Sequence, residues 1–300
     1  MQEVDAPANL RGTGWDMAIV GKALDDRGTA VTAFLSSDST ETLELLYDPD
    51  TFLLSLGHDL VQADEFDTAV EQYRNRSIVL EATTLGFVEV FLTLKALSSL
   101  KVSKVDLLYA EPGNYNLKRT SLIRTSQLLH RRDFELSDEV PGYKAIPTAT
   151  KLLTDQRPQK TVFFLGFEER RIERALEDHQ LIQPSNTDVV FGVPAYRPGW
   201  EMDAFANNVR VIKERKLEGG VHFCGAENPA AALEVLQRIQ KGLITGEVMF
   251  IAPIGTKPMG IGAALFAATE PNVGLLYDHP TRKPKRSSDV GRWHMFSVTF

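Results

Sequence analysis

Short apolar runs of strand length alternate with longer helical stretches over most of the chain after residue 77. The runs lie at residues 78–80, 105–109, 162–165, 189–191, 221–224, 248–252, 273–277 and 295–300. Strands that are apolar throughout are typical of parallel sheets covered on both faces, and such strands are joined by right-handed helical crossovers. The pattern therefore predicts an α/β fold with a Rossmann-like, doubly wound, mostly parallel sheet.

The first 75 residues follow a different pattern. Residues 17–21, 30–35, 43–47 and 51–56 are short and strand-like, and Asp-Pro-Asp at 48–50 is typical of a hairpin turn. We therefore expect a small antiparallel β meander within a β-rich segment 1–75, followed by one Rossmann-like α/β domain at 76–300. Within that domain, residues 117–132 are predicted to form a basic helix.

Composition and charge narrow the classes of function. The net charge of −7 argues against non-specific binding to nucleic acid or to an anionic membrane, apart from one basic run at 282–286. No run reaches the roughly 20 apolar residues of a membrane span, and residues 1–5 lack the apolar core of a signal peptide, so we expect a cytoplasmic protein. The single cysteine, Cys224, excludes a disulfide framework, and no histidine pair has metal-ligand spacing, so no metal is predicted.

Polar side chains follow nearly every predicted strand after residue 77. In an open α/β sheet, ligands bind beyond the carboxyl ends of the strands, near the point where the strand order reverses. The residues suited to ligand binding or proton transfer there are Glu81, Thr83, Thr84, Glu111, Glu168, Arg197, Gly255, Thr256, Lys257, Asp278 and His279. Some of these residues have simpler explanations. Thr83 or Thr84 can cap the helix that follows, and Glu168 can complement a helix dipole.

The turn at 253–260 is the best-defined of these places, because it joins an apolar strand to a helix of small residues. A strand-turn-helix unit presents backbone amides and a helix N-terminus to an anion. Gly255 permits a close approach, Thr256 supplies a hydroxyl and Lys257 an ammonium, with Thr83, Thr84 and Arg197 as further ligand-binding residues. The Walker A, Gly-x-Gly-x-x-Gly and Gly-x-Ser-x-Gly patterns are absent, so a nucleotide or other phosphorylated small molecule is expected as ligand rather than a dinucleotide cofactor.

Residues 251–259, Ile-Ala-Pro-Ile-Gly-Thr-Lys-Pro-Met, resemble the Gly-Gly-Thr-Lys-Pro-Met type motif of CRISPR-associated Rossmann-fold (CARF) sensor domains. The resemblance implies a pocket for cyclic oligoadenylate across a homodimer interface, with the loop at 81–86 as its other wall. It transfers to Gly255, Thr256 and Lys257, and less closely to Thr83 and Thr84. Ile254 replaces the first glycine of the motif, and no effector module is recognisable. The resemblance therefore implies a stand-alone nucleotide-sensing or nucleotide-processing subunit of a prokaryotic antiviral system.

Three functions are compatible with these patterns, and the sequence does not decide whether the chain is an enzyme. The first is a binding module, as a homodimer or a subunit of a complex, that recognises a nucleotide through residues 255–257. The second is a nucleotide hydrolase or nucleosidase, in which a carboxylate at one sheet edge acts as general acid or base. Its candidate residues are Glu81, Glu111, Glu168, Asp278 and His279. The third is a structural subunit that docks through the β meander and the basic run 282–286.

Overall fold

A computed structural model describes residues 1–116, 132, 134, 136–137, 142–151, 153, 159–217 and 219–300. The chain divides into two compact units, Met1–Asn116 with Lys283–Phe300, and Leu117–Arg282. The boundary predicted between residues 75 and 76 lies inside the first unit, which also takes up the end of the chain. The predicted basic helix at 117–132 lies outside the described residues, except for Arg132.

Both units are α/β, and most strand pairings among the described residues are parallel. The strands are β1 (Gln2–Val4), β2 (Trp15–Val20), β3 (Ser39–Tyr47), β4 (Leu53–Leu56), β5 (Asp59–Gln62), β6 (Ile78–Glu81), β7 (Lys104–Tyr115), β8 (Gln159–Leu165), β9 (Thr187–Gly192), β10 (Val221–Cys224), β11 (Val248–Pro253), β12 (Val273–Leu275) and β13 (Ser287–Thr299). The α-helices are α1 (Asp26–Asp38), α2 (Phe66–Val70), α3 (Phe87–Ser99), α4 (Glu169–Asp178), α5 (Trp200–Glu214), α6 (Pro229–Lys241) and α7 (Lys257–Thr269). Within the described ranges, every helix is too short or too polar to cross a bilayer.

The first unit contains a mixed sheet of eight strands in the order β1-β13-β7-β6-β2-β3-β4-β5. Its four central strands, β7, β6, β2 and β3, are parallel, and α1 and α3 provide the crossovers. Antiparallel strands extend this centre on both sides. β13 pairs with β7 over almost its whole length, so the last strand of the chain completes the sheet that the first strands begin.

The separate N-terminal meander is not confirmed. β3, β4 and β5 are antiparallel neighbours, but they extend the eight-stranded sheet. Residues 30–35, predicted as a strand, belong to α1. Asp25 caps this helix by accepting a hydrogen bond from the Gly28 amide at 3.0 Å, and Val31 and Leu35, one turn apart, are both fully buried against the sheet. Burial on one helical face decides the structure of a segment whose β-branched and apolar residues also suit a strand.

The second unit contains a five-stranded sheet in the order β10-β9-β8-β11-β12, and all of its pairings are parallel. The helices α4, α5, α6 and α7 each join one strand to the next along the chain. Starting from β8, the chain first adds strands on one side and then returns to add β11 and β12 on the other. The strand order therefore reverses between β8 and β11, and α4 and α7 begin beside that reversal.

Candidate functional site

The predicted site residues divide between two sheets. Glu81, Thr83, Thr84 and Glu111 belong to the first unit, and the others, from Glu168 to His279, belong to the second. The expectation that the four candidate carboxylates and the candidate histidine share one sheet edge is therefore wrong. The reason is topological, because β13 returns to pair with β7 and completes the first sheet, while β8 to β12 form a second sheet.

Glu81, the last residue of β6, is completely buried, and its carboxylate holds the loop that follows. Its Oε1 accepts a hydrogen bond from the Thr83 amide at 2.7 Å, and its Oε2 accepts from the Thr84 amide at 2.7 Å and from the Thr84 hydroxyl. The two threonine hydroxyls in turn accept from the amides of Ala110, at 3.0 Å, and Gly21, at 2.8 Å. These bonds fasten the loop to β7 and to the end of β2, which is a structural use of all three predicted residues.

Glu111 on β7 pairs with a histidine that the sequence analysis did not select. Its Oε1 lies 2.7 Å from Nε2 of His294 on β13, and the His294 ring, 0% exposed, stacks on Phe296 with 5.9 Å between ring centroids. With Nε2–H donating to the carboxylate, Nδ1 is an acceptor, and it has no hydrogen-bond partner among the residues that the structure describes. β13 carries a bulge between Val290 and Trp293, opposite Glu111.

A buried polar cluster surrounds Arg27 in the first turn of α1. The guanidinium donates to Asp25 at 2.9 Å, to Ser287 at 3.0 Å and to the Ala110 carbonyl at 3.1 Å, and Ser287 donates to Asp25 at 2.6 Å. Burial raises the pKa of Asp25, but the Arg27 charge and the bonds from Ser287 and Gly28 outweigh it and hold that pKa below the ordinary value. The cluster joins α1, β7 and β13 and carries a structural role.

An ion pair occupies the reversal point of the second unit. Arg171, in the first turn of α4, donates from Nε to Asp278 Oδ2 at 2.7 Å and from Nη2 to Asp278 Oδ1 at 2.5 Å. Its Nη1 lies 3.5 Å from the Ile254 carbonyl, just after β11, and 3.8 Å from Glu168 Oε2. Arg171 is 8% exposed and Asp278 is 0% exposed. Burial lowers the pKa of Arg171, but Asp278 more than compensates, and the pKa is raised overall.

The structure thus brings Glu168 and Asp278 together, but both carboxylates lie against the Arg171 guanidinium and do not share a proton with each other. The two oxygens of Glu168 also accept hydrogen bonds from Ser137, from its amide at 3.0 Å and its hydroxyl at 3.1 Å. His279 adopts a positive φ of +46°, and its Nε2 lies 3.3 Å from the Lys144 carbonyl. Its ring packs edge-on to Tyr277. His279 is therefore positioned by contacts different from those of its neighbour Asp278.

The predicted strand-turn-helix at 248–269 is present, and α7 begins at Lys257. Thr256 is its N-cap: the hydroxyl accepts from the Met259 amide at 3.5 Å and donates to the Ala226 carbonyl at 2.5 Å. A Cβ on Gly255 would lie 3.1 Å from Met259 Cε and 3.3 Å from Phe164 Cβ, so packing within the protein accounts for the glycine. Lys257 is half-buried at the first helical position. Of the three predicted residues, Lys257 is the one with a cationic group at the helix N-terminus.

Arg197 lies in the loop between β9 and α5 and is exposed. Its guanidinium carbon is 5.7 Å from the ring centroid of Trp200, the first residue of α5. Trp200 itself is buried and packs edge-on to Phe167, at 6.0 Å between ring centroids. Arg197 therefore covers an aromatic residue of the core beyond β9, one strand removed from the reversal point.

A polar cluster near the start of β8, β9 and β10 in the second sheet leads to a prediction about the pH dependence of stability. Asp188 is held by Lys160 at 2.5 Å, by His222 Nε2 at 2.9 Å and by the Gly220 amide at 2.6 Å. Burial raises the pKa of Asp188, but the hydrogen bonds from Lys160, Gly220 and His222 lower it by more, and the net pKa lies below the ordinary value for aspartate. The stabilisation that ionised Asp188 contributes is therefore complete above the pKa of this group in the unfolded state. It is lost as the pH falls through the pKa of Asp188 in the folded state.

We expect the free energy of unfolding to fall as the pH is lowered below about 4, and to fall less steeply in Asp188→Asn, which cannot lose this charge. Urea titrations between pH 2 and pH 6 measure both slopes. Asp178→Asn, an exposed carboxylate on α4, is the control and should follow the unchanged protein. Equal slopes for Asp188→Asn and the unchanged protein would contradict the prediction.

The potential for metal and thiol chemistry is limited in the part of the chain that the structure describes. No group of three or more His, Cys, Asp or Glu side chains there is arranged to hold a metal ion. Cys224 is buried, and burial together with Glu227 raises its pKa to about 12. Its sulfur is therefore a neutral thiol near pH 7, which is a poor nucleophile.

No protein-family model matches the chain, and no curated protein matches it. The fold and the geometry of the two units are therefore the basis for assigning its function.

Proposed function

We propose that the second unit is a Rossmann-like, doubly wound domain that binds a nucleotide or another phosphorylated small molecule beyond the carboxyl ends of its strands. The observation that carries this proposal is the reversal of strand order between β8 and β11. At such a reversal the two neighbouring connections leave the sheet toward opposite faces, and a crevice opens between them.

Packing on the two faces of the sheet supports the doubly wound arrangement. One core cluster joins β8, β9 and β11 to α4 and α5, with Phe163 and Phe191 among its strand residues. Gly192, next to Phe191 and therefore directed to the other face, would place a Cβ 3.2 Å from Met259 Sδ of α7. α7 packs closely on α6, since a Cβ on Gly262 would lie 2.4 Å from the Pro229 carbonyl oxygen.

The N-terminus of α7 is suited to an anion. The helix dipole favours negative charge at this end, and Lys257 adds an ammonium at the first helical position. Pro258 has no backbone N–H and the Met259 amide donates to Thr256, so the dipole and the ammonium carry the attraction. The first turn of α7, a helix described in full, contains no acidic residue, whereas α4 and α5 begin with Glu169 and with Glu201 and Asp203. Of the two helices beside the reversal, α7 is therefore the one whose N-terminal charge is not neutralised by its own sequence.

The resemblance of residues 251–259 to CARF sensor domains extends the proposal to a biological role. On that basis the protein senses a nucleotide in the cytoplasm as part of prokaryotic antiviral defence, as a homodimer or as a subunit of a complex. Cyclic oligoadenylates are then the first ligands to test, together with mononucleotides.

Replacing Lys257 with alanine is expected to weaken ligand binding about tenfold to a hundredfold, because a charge-assisted contact is worth about 1.5–3 kcal/mol. Isothermal titration with AMP, ATP and cyclic oligoadenylates measures the change. Lys241→Ala, at the opposite end of the neighbouring helix α6, removes the same charge and should bind as the unchanged protein. Equal affinity of Lys257→Ala for every ligand that binds, or no binding by the unchanged protein, would contradict the proposal.

A second candidate function, nucleotide hydrolysis, is favoured by the Glu111–His294 pair. A carboxylate that fixes the tautomer of a histidine and leaves the other ring nitrogen as an acceptor is an arrangement that general bases use. The complete burial of His294 means that a substrate reaches it only after local opening. Chromatography of the titration samples distinguishes the two functions, since product formation would favour the enzyme.

A further inference from the structure

The Arg171–Asp278 pair lies where an open α/β sheet binds its ligand. Arg171 comes from α4, which follows β8, the Ile254 carbonyl that it contacts follows β11, and Asp278 follows β12. Two elements beside the strand reversal and the segment after the edge strand β12 therefore converge on one guanidinium. A buried ion pair is not needed to stabilise such a place, because apolar side chains of similar volume often serve equally well.

We infer that Arg171 is the residue that recognises the terminal phosphate of the ligand, and that Asp278 occupies its guanidinium until the ligand arrives. The inference rests on the proposed function, whose ligand it defines more closely. Arginine presents two parallel N–H donors that fit a carboxylate and a phosphate equally well. Asp278 uses this fork, from Nε and Nη2, at 2.7 and 2.5 Å.

Competition with Asp278 for the Arg171 guanidinium favours a terminal phosphate over a phosphodiester, because the ligand must carry more negative charge than the carboxylate that it displaces. Glu168 lies 3.8 Å from the guanidinium, so an entering anion meets two carboxylates and one cation. A phosphodiester carries one negative charge, as Asp278 does. Its attraction to Arg171 is therefore about as strong as that of the carboxylate, and replacing Asp278 gains little free energy. A phosphomonoester or a terminal polyphosphate carries close to two, and Lys257 at the start of α7 supplies a second cation on the β11 side of the reversal.

The two partners of the pair differ in their freedom to move. Arg171 is part of a regular helix, and its backbone carbonyl accepts a hydrogen bond from the Tyr143 hydroxyl at 3.0 Å. Asp278 lies in residues 276–281, which have no regular secondary structure. Its neighbour His279 holds a positive φ of +46°, a strained conformation for a non-glycine residue. Release of Asp278 can relax this strain, so the carboxylate is the partner that leaves.

Replacing Asp278 with asparagine is expected to raise the affinity for AMP and ATP about tenfold, because the resident anion is lost while the size of the side chain is kept. The affinity for a cyclic oligoadenylate, which has no terminal phosphate, should change by less than twofold. Isothermal titration of the full-length protein measures both. Asp178→Asn breaks the exposed Arg174–Asp178 pair on the same helix and should leave both affinities unchanged.

A double variant assigns the gain to Arg171. In Arg171→Gln/Asp278→Asn the tenfold gain should disappear, and Arg171→Gln alone should bind AMP and ATP at least tenfold more weakly. Should Asp278→Asn fail to fold, Glu168→Gln removes the other carboxylate and leaves the ion pair in place. That variant is expected to raise the affinity for AMP and ATP about threefold.

Outcomes separate this inference from the proposed function. The inference is overturned when the unchanged protein binds AMP or ATP and Lys257→Ala weakens binding, but neither Asp278→Asn nor Glu168→Gln raises the affinity. A gain that persists without Arg171, or equal gains for the cyclic ligand, also overturns it. If neither the unchanged protein nor any variant binds a nucleotide, both the inference and the proposed function are overturned. Binding by Asp278→Asn that exceeds binding by the unchanged protein supports it.

Discussion

Replacing Asp278 with alanine is expected to lower the free energy of unfolding of the second unit by about 3–5 kcal/mol. The substitution leaves the buried guanidinium of Arg171 without its counter-ion, and a stranded buried charge costs far more than an apolar group of the same size. Hydrogen exchange measured by mass spectrometry reports the loss as reduced protection in β8, β11 and β12, with the first unit unchanged. Asp178→Ala, which breaks an exposed pair on α4, should cost less than about 1 kcal/mol.

The paired replacement Arg171→Met/Asp278→Leu should recover more than half of that loss, because both desolvation penalties disappear along with the attraction. A double variant as unstable as the sum of the two single variants would contradict the view that the pair acts as a unit. Recovery of stability together with loss of AMP and ATP binding would show that the pair is kept for recognition rather than for folding.

Replacing Glu81 with alanine is expected to destabilise the first unit by a similar amount, about 3–5 kcal/mol. The carboxylate accepts from two backbone amides and one hydroxyl in a fully buried loop, and alanine leaves all three donors without that acceptor. Protection in β2, β6 and β7 should fall together, since the loop also holds Gly21 and Ala110.

Glu81→Gln tests the part that charge contributes, because it keeps an acceptor in the same place. Its cost should lie between those of Glu81→Ala and of Glu41→Ala, a half-exposed glutamate of β3 that pairs with Arg76. A cost for Glu81→Ala no larger than that for Glu41→Ala would mean that the loop does not depend on the carboxylate. A large effect on nucleotide binding without loss of stability would restore Glu81 as a functional residue.

Local pattern was sufficient to predict the strands and helices of the second unit, where short apolar strands and regular crossovers occur in chain order, but not the separation of this unit from the first. The start of α7 after residue 256 was readable because a Thr cap and a Pro at the second helical position are local signals. The error at residues 30–35 has a different cause, since burial of Val31 and Leu35 on one face of α1 depends on a sheet that the segment itself does not contain.

Long-range pairing explains what the sequence analysis missed in the candidate sites. His294 meets Glu111 across 183 residues and Ser287 meets Arg27 across 260 residues, and no spacing rule connects positions so far apart. The division of the predicted edge into two sheets has the same origin, because only the return of β13 to β7 reveals it. Arg171 was overlooked because, as a residue of a charged helix start, it has no local feature that distinguishes it from Arg170.

The return of the last strand has a consequence for synthesis on the ribosome. β7 is complete once residue 115 has been made, but its outer edge is paired by β13, which begins at Ser287. At a translation rate of about 5–20 residues per second, that edge of β7 stays unpaired for on the order of ten seconds or more. During this time it can pair with a strand of another nascent chain. The second unit, contiguous at 117–282, has no such delay and can fold before the sheet that encloses it in sequence is finished.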